Sequence, residues 1–92
     1  MSPLYDVRFT TAARRALTDA LPEKVAVAAY AFITQALAAD PRRVGKQLEA
    51  PLYPLYSARR GEYRVIYQIL EQEVVIEIVS MTHRRDAYRP AG

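Results

Sequence analysis

Over residues 63–69 apolar and polar positions alternate with period two. Tyr63, Val65, Tyr67 and Ile69 fall on one side, and Arg64, Ile66 and Gln68 on the other. The pattern predicts a half-buried strand over 62–70. The same period over 4–9, with Tyr5, Val7 and Phe9 pointing one way, predicts a first strand. Val74, Ile76 and Ile78 predict a last strand over 74–80. The chain between the first two patterns has helical spacing instead. Thr10 and Thr11 have hydroxyls that can cap a helix carrying Ala13, Ala16, Leu17, Ala20 and Leu21 on its apolar side. Pro22 stops that helix and suits the first turn of the next, where a missing N–H is harmless. The second helix is predicted over 23–39, with Val25, Ala29, Phe32, Ile33 and Ala36 as its buried stripe. It ends at Asp40, which Pro41 pushes out of the helical region.

Residues 42–48 are predicted to form a loop centred on Gly45. The two prolines of "APLYPLY" make the next segment irregular or an edge. A strand to about residue 59, a turn at Arg60 and Gly61, and a turn at "EQE" complete a meander, and "MTHRRDAYRP" is expected to leave the sheet. The expected fold is therefore α+β. A helical hairpin packs on one face of a mostly antiparallel four-stranded sheet, in the order β-α-α-β-β-β. The other face is left open, with basic residues near the strand ends. Tyr63, Tyr67, Tyr5 and Phe9 are expected in the core. Tyr53 and Tyr56 fit either the underside of the sheet or a ligand path.

Composition narrows the class. A chain of 92 residues is expected to form a single domain, 1–92, and 51% hydrophobic residues suffice for a core. With no cysteine there is no disulfide, thiolate zinc site or thiol nucleophile, which fits a cytoplasmic location. "MSPLYDVRFT" lacks the apolar core of a signal peptide. "VAVAAYAFI" falls far short of the roughly 20 residues that span a bilayer, so no membrane partner is expected.

Thirteen basic against ten acidic residues give a net charge of +3, too weak for a wide electrostatic landing surface. The positives are clustered, however: Arg42, Arg43 and Lys46; Arg59, Arg60 and Arg64; Arg84, Arg85 and Arg89. Clusters of this kind fit either ordinary solvated charge or a local anion site. The other chemistry is sparse. His83 is the single histidine, no carboxylate pair has catalytic spacing, and there is no HExxH, glycine-rich phosphate loop or Cys/His cluster. No metal and no cofactor are expected. Arginine, lysine, histidine and tyrosine remain, and these can act on a phosphodiester. Guanidinium groups bind phosphate oxygens bidentately and stabilise a phosphorane, and tyrosine stacks on bases. RNA brings its own nucleophile, the 2′-hydroxyl. The same residues suit a passive nucleic-acid grip equally well.

"RVGKQL", "YSARRGEYRVIYQI" and "THRRDAYR", in this order behind a helical hairpin, resemble the RelE/ParE superfamily of toxin–antitoxin toxins, on the RelE side. The resemblance spans residues 5–89. It implies a small cytoplasmic endoribonuclease that cuts mRNA on the ribosome by metal-independent attack of the 2′-hydroxyl. It also implies a cognate antitoxin as partner, with operator DNA met only through that antitoxin. On this resemblance Arg64 matches the family's phosphate-binding arginine, and Arg84 a basic residue that meets the leaving group. His83 stands where some members have lysine, and Tyr88 matches a C-terminal tyrosine that orients the nucleotide. These four are the implied catalytic residues. Lys46, Arg59, Arg60 and Arg85 are the implied RNA-binding residues. The sequence departs from the pattern at Leu55 and Ser57, where well-characterised members carry lysines, one of them proposed as general base. The base is then His83, a basic group from another element, or water. Glu49 occupies a position that is basic in many relatives and reads best as a solvated carboxylate. Two other readings are a ParE-like toxin that inhibits DNA gyrase by protein contact, and a non-catalytic nucleic-acid-binding module in an antitoxin–operator complex.

Overall fold

The computed structural model describes residues 4–83. Strand β1 (Asp6–Phe9) leads into helix α1 (Thr11–Arg15), which widens into a π turn over Ala16–Ala20. Helix α2 (Glu23–Phe32) widens in the same way over Ile33–Leu37, and a short helix α3 (Pro41–Val44) follows. Strands β2 (Lys46–Gln47), β3 (Tyr56–Arg60), β4 (Tyr63–Leu70) and β5 (Val75–His83) follow, with a 3₁₀ turn at Glu71–Glu73 before β5. The five strands form one sheet in the order β1-β5-β4-β3-β2. Only β1 and β5 run parallel. Both helices of the hairpin pack on one face, so the α+β class and the mostly antiparallel sheet hold. Among the described residues no helix is long and apolar enough to cross a membrane.

Among the described residues the strand count is five, not four. The segment read as a loop around Gly45 holds α3, with Pro41 at its first position, and the two-residue edge strand β2. The π turns correct the helical stripes. Leu21 N–H donates to Ala16 O, so one extra residue fits in that turn, and Leu21 is buried while Ala20 is exposed. In the second helix the buried positions after Ile33 are Leu37 and Ala38, and Ala36 is exposed.

The last strand starts and ends later than its period suggested. Val74 is exposed with φ 54°, a left-handed conformation unusual for a β-branched residue, and it closes the turn rather than joining the strand face. Met81, Thr82 and His83 stay in the sheet. Tyr67 pairs with Ile78 and Ile66 with Ser80, so Val79 is an extra residue, a β-bulge. Thr10 holds it in place. Its Oγ1 donates to Val79 O at 2.6 Å and accepts from Ala13 N–H at 3.1 Å, so one hydroxyl caps α1 and ties it to the bulge. The bulge reverses the strand's phase. Met81 joins Ile76 and Ile78 in the core, and Thr82 turns to the open face.

The core lies between sheet and hairpin. It is centred on Ile33, Leu37, Val65, Tyr67, Ile76 and Ile78, with Tyr63 beside Phe32. Tyr5 and Phe9 are half-buried against it rather than enclosed. Tyr56 is buried and stacks on Tyr67, while Tyr53 is exposed, which separates two tyrosines whose sequence context was alike.

The Tyr67 hydroxyl donates to Pro41 O at 2.6 Å, inside the core. Burial pushes this phenol far above its usual value, with Tyr56 adding to the effect and the Gly45 amide opposing it. Tyr67→Phe is expected to lose about 1–3 kcal/mol, because the buried Pro41 carbonyl keeps no donor in its place. The raised value also fixes a pH dependence. Above about pH 10 a tyrosine in the unfolded chain gives up its proton, while Tyr67 in the folded chain keeps it. The stability that Tyr67 contributes should therefore be constant below that pH and fall above it. A series of thermal melts should show a shallower alkaline fall in Tyr67→Phe, and equal slopes would contradict the assignment.

Candidate functional site

The sheet face away from the helices carries the candidate site. In β3 Tyr56 and Ala58 are buried, so Ser57 and Arg59 point outward. In β4 Tyr63, Val65 and Tyr67 are buried, so Arg64, Ile66 and Gln68 point outward. Register arranges these residues in rows across the strands. Arg59 pairs with Arg64, and Arg64 with Thr82. The next row is Lys46, Ser57, Ile66 and Ser80. The row after that is Gln68, Glu77 and Arg8.

Two guanidinium groups directly opposite one another on adjacent strands destabilise a sheet unless something anionic sits between them. Among the described residues Arg59, Arg64 and Lys46 are all exposed and none has an ion-pair partner. The neighbouring arginines behave differently. Arg42 pairs with Glu71, which raises its pKa, and Arg42 Nη1 lies 3.4 Å from the Tyr56 hydroxyl. Arg8 pairs with Glu73 at 3.4 Å. Carboxylates are thus spent on the edge arginines and not on the central pair. That pattern would suit an anion, and two forks plus an ammonium group have the chemistry to hold a phosphodiester. Among the described residues no three His, Asp or Glu side chains gather into a group able to hold a metal ion.

The remaining candidates divide. Arg60 does not share the Arg59 and Arg64 face. It pairs across from Tyr63 and lies 5.4 Å from the Phe32 ring centroid, at the mouth of a cleft of about 470 Å³ lined by Ala28, Ala31, Phe32 and Gln35. His83 also pairs across from Tyr63, so the register puts it on the side opposite Arg64. Its Nε2 lies 3.4 Å from Glu62 Oε2. Arg84, Arg85 and Tyr88 lie outside the described residues. Sequence reasoning missed Ser57, Ser80 and Thr82 as members of this face. The alternation of β4 pointed to their row, but the partner positions on β5 depend on the bulge.

The loop before β2 positions Lys46. Gly45 packs its backbone against the buried Tyr67 hydroxyl, and a Cβ there would overlap that hydroxyl and lie 2.9 Å from Ser57 O. This close approach seats β2 on β3 and turns Lys46 to the open face beside Ser57.

A small five-stranded sheet with a helical hairpin on one side and, among the described residues, exposed basic side chains without ion-pair partners on the other defines a compact α+β protein. Comparison with known proteins gives it a family. The model for the ParE toxin of type II toxin–antitoxin systems matches residues 7–88. Toxin RelG of Mycobacterium tuberculosis is 44% identical over 85 residues, covering 92% of this chain and 97% of RelG. Toxin RelE of the same organism is 42% identical over 85 residues, covering 92% and 87%. Among solved structures, a chain of the RelBE2 toxin–antitoxin complex from M. tuberculosis aligns with a TM-score of 0.86 at 41% identity, covering 89% of this chain and all of that one. The isolated E. coli RelE toxin aligns at 0.69 and 20% identity, covering 86% and 83%, a likeness of fold alone. The chain belongs to the RelE/ParE superfamily of type II toxin–antitoxin toxins, and its 42–44% identical relatives are toxins named RelE and RelG.

Proposed function

We propose that this toxin is a ribosome-dependent mRNA endoribonuclease that inhibits translation in the cytoplasm. The observation that carries the reading is the Arg59–Arg64 pair on the uncovered sheet face, free of carboxylates among the described residues. The scissile phosphate lies between the two guanidinium groups. The substrate's 2′-oxygen attacks phosphorus in line, the bond to the 5′-oxygen breaks, and a 2′,3′-cyclic phosphate results. Arg64 meets the charge that builds on the phosphorane, and Arg59 and Lys46 hold the flanking backbone. Fixed cations supply the charge stabilisation, so the chemical step needs no divalent metal. Arg84 and Tyr88 act on the leaving group and the nucleotide, as in the family, with Arg85 on the RNA. A cognate antitoxin silences the toxin by covering part of its basic surface, as expected of a relative of the toxin in the RelBE2 complex.

The matching family model is described by a ParE toxin, which supports a second reading, gyrase inhibition through protein contact. One experiment separates the two. The toxin is induced, and mRNA 5′ ends are mapped on ribosomes beside an assay for gyrase-dependent DNA breaks. Codon-phased cuts are expected. DNA breaks with intact mRNA would replace the nuclease reading with the second one.

A further inference from the structure

We propose that Gln68 and Glu77 read a guanine base of the RNA beside the cut; this inference rests on the nuclease reading above. Glu77 is the odd residue of the open face. A carboxylate there repels phosphate, so it weakens the grip on RNA unless it meets a donor. Glu77 is half-buried, with Gln68 opposite it on β4 and Arg8 opposite it on β1. Arg8 does not neutralise it, because the Arg8 guanidinium turns to Glu73 at 3.4 Å. Among the described residues neither the Gln68 amide nor the Glu77 carboxylate has a side-chain hydrogen bond or an ion pair. Two adjacent strands thus present an amide and a carboxylate side by side, both open to a ligand.

The chemistry of the pair selects the base. The Watson–Crick edge of guanine carries two N–H donors in a row, on N1 and N2, beside the acceptor O6. A carboxylate accepts both, one on each oxygen, while an amide N–H donates to O6. The other bases do not match. Adenine sets N1 next to its amino group, cytosine sets N3 next to its own, and uracil flanks a single N–H with two carbonyls. Each of these turns a lone pair toward a carboxylate oxygen, and polar groups left facing the wrong edge make a site selective.

The placement suits a nucleotide whose phosphate is held by Arg64. The Gln68–Glu77 row lies two rows along the sheet from Arg64, about 13 Å at the usual strand rise. Between them stand Ile66 and Ser80, which carry no charge, with Ile66 half-buried. Phosphate-binding groups thus lie at one end of this track and base-reading groups at the other, with room between for the ribose.

The test is single-turnover cleavage at saturating toxin on programmed ribosomes, over a set of codons that places each base at each position, beside a thermal melt of each variant. One position is expected to favour guanine. Glu77→Ala should narrow the ratio of the guanine rate to the rates on other bases by about 10–100-fold, the discrimination of one bidentate base contact, with the melt unchanged. Glu77→Gln should shift the preference toward adenine, because an amide accepts from N6 and donates to N1. Arg64→Ala should slow all codons by one common factor. An active toxin with no guanine preference would overturn the proposal. So would a Glu77→Ala variant that keeps the preference or slows every codon alike, since the carboxylate would then read no base. A wild-type protein that cuts no codon overturns the nuclease reading and this proposal with it, whereas an active toxin indifferent to guanine overturns this proposal alone.

Discussion

Replacing Arg64 by alanine is expected to lower the single-turnover rate of mRNA cleavage by about 10²–10³-fold, the range for losing one preorganised donor to a transition-state oxyanion. Arg64 is exposed on β4, between the buried Tyr63 and Val65, so its removal opens no cavity. It also relieves the like-charge contact with Arg59, so the melting temperature is not expected to fall. Arg64→Lys should recover part of the rate, since lysine keeps the charge and loses the fork. Programmed ribosomes and a melt of each variant provide the measurement. A folded Arg64→Ala toxin that cuts as fast as the parent would remove this residue from the site.

Gly45→Ala is expected to destabilise the protein by about 3 kcal/mol, the upper part of the range for overpacking. The new methyl group meets the Tyr67 hydroxyl and, at 2.9 Å, Ser57 O. Neither is the loose end of a flexible side chain. The hydroxyl is held by Pro41 O, and the carbonyl belongs to β3. In a domain of this size such a loss lowers the melting temperature by about 12–24 °C. Urea melts of the two proteins decide the matter, and a difference below about 0.5 kcal/mol would mean that β2 shifts freely on the sheet. Cleavage should also drop in whatever folded Gly45→Ala remains, because Lys46 moves with β2.

How much was legible from the sequence varied by element, for physical reasons. Strand β4 was readable because a strand with one face on a core needs strict alternation, and 62–70 supplies it. The caps and breaks at Thr10, Pro22 and Asp40 were readable because each depends on backbone within a few residues of it in the chain. Strand β2 was not. Two residues, Lys46 and Gln47, hold no period, and they form a strand only because β3 offers an edge and Tyr67 leaves room for Gly45. The π turns were equally hidden, because a turn widened by one residue still looks helical until its buried positions are known.

The site divides in the same way. The sequence by itself determined that Arg64 faces away from the core, since neighbours on a strand alternate. It also determined that basic residues gather near the turn at Gly61, and that this chemistry suits a phosphodiester. Only the tertiary structure decided which of those cations meet. Arg59 and Lys46 join Arg64 through the pairing of β3 with β4 and of β2 with β3, while Arg60 goes to the other side, over Phe32. The face that His83 takes was settled farther away. Thr10, at the start of α1, binds the carbonyl of Val79 and holds a bulge that reverses the phase of β5, so Thr82 rather than His83 lies beside Arg64. A one-residue bulge changes the face of every side chain after it, and what fixes this one is a hydrogen bond between residues 69 apart in the chain, beyond the reach of local periodicity.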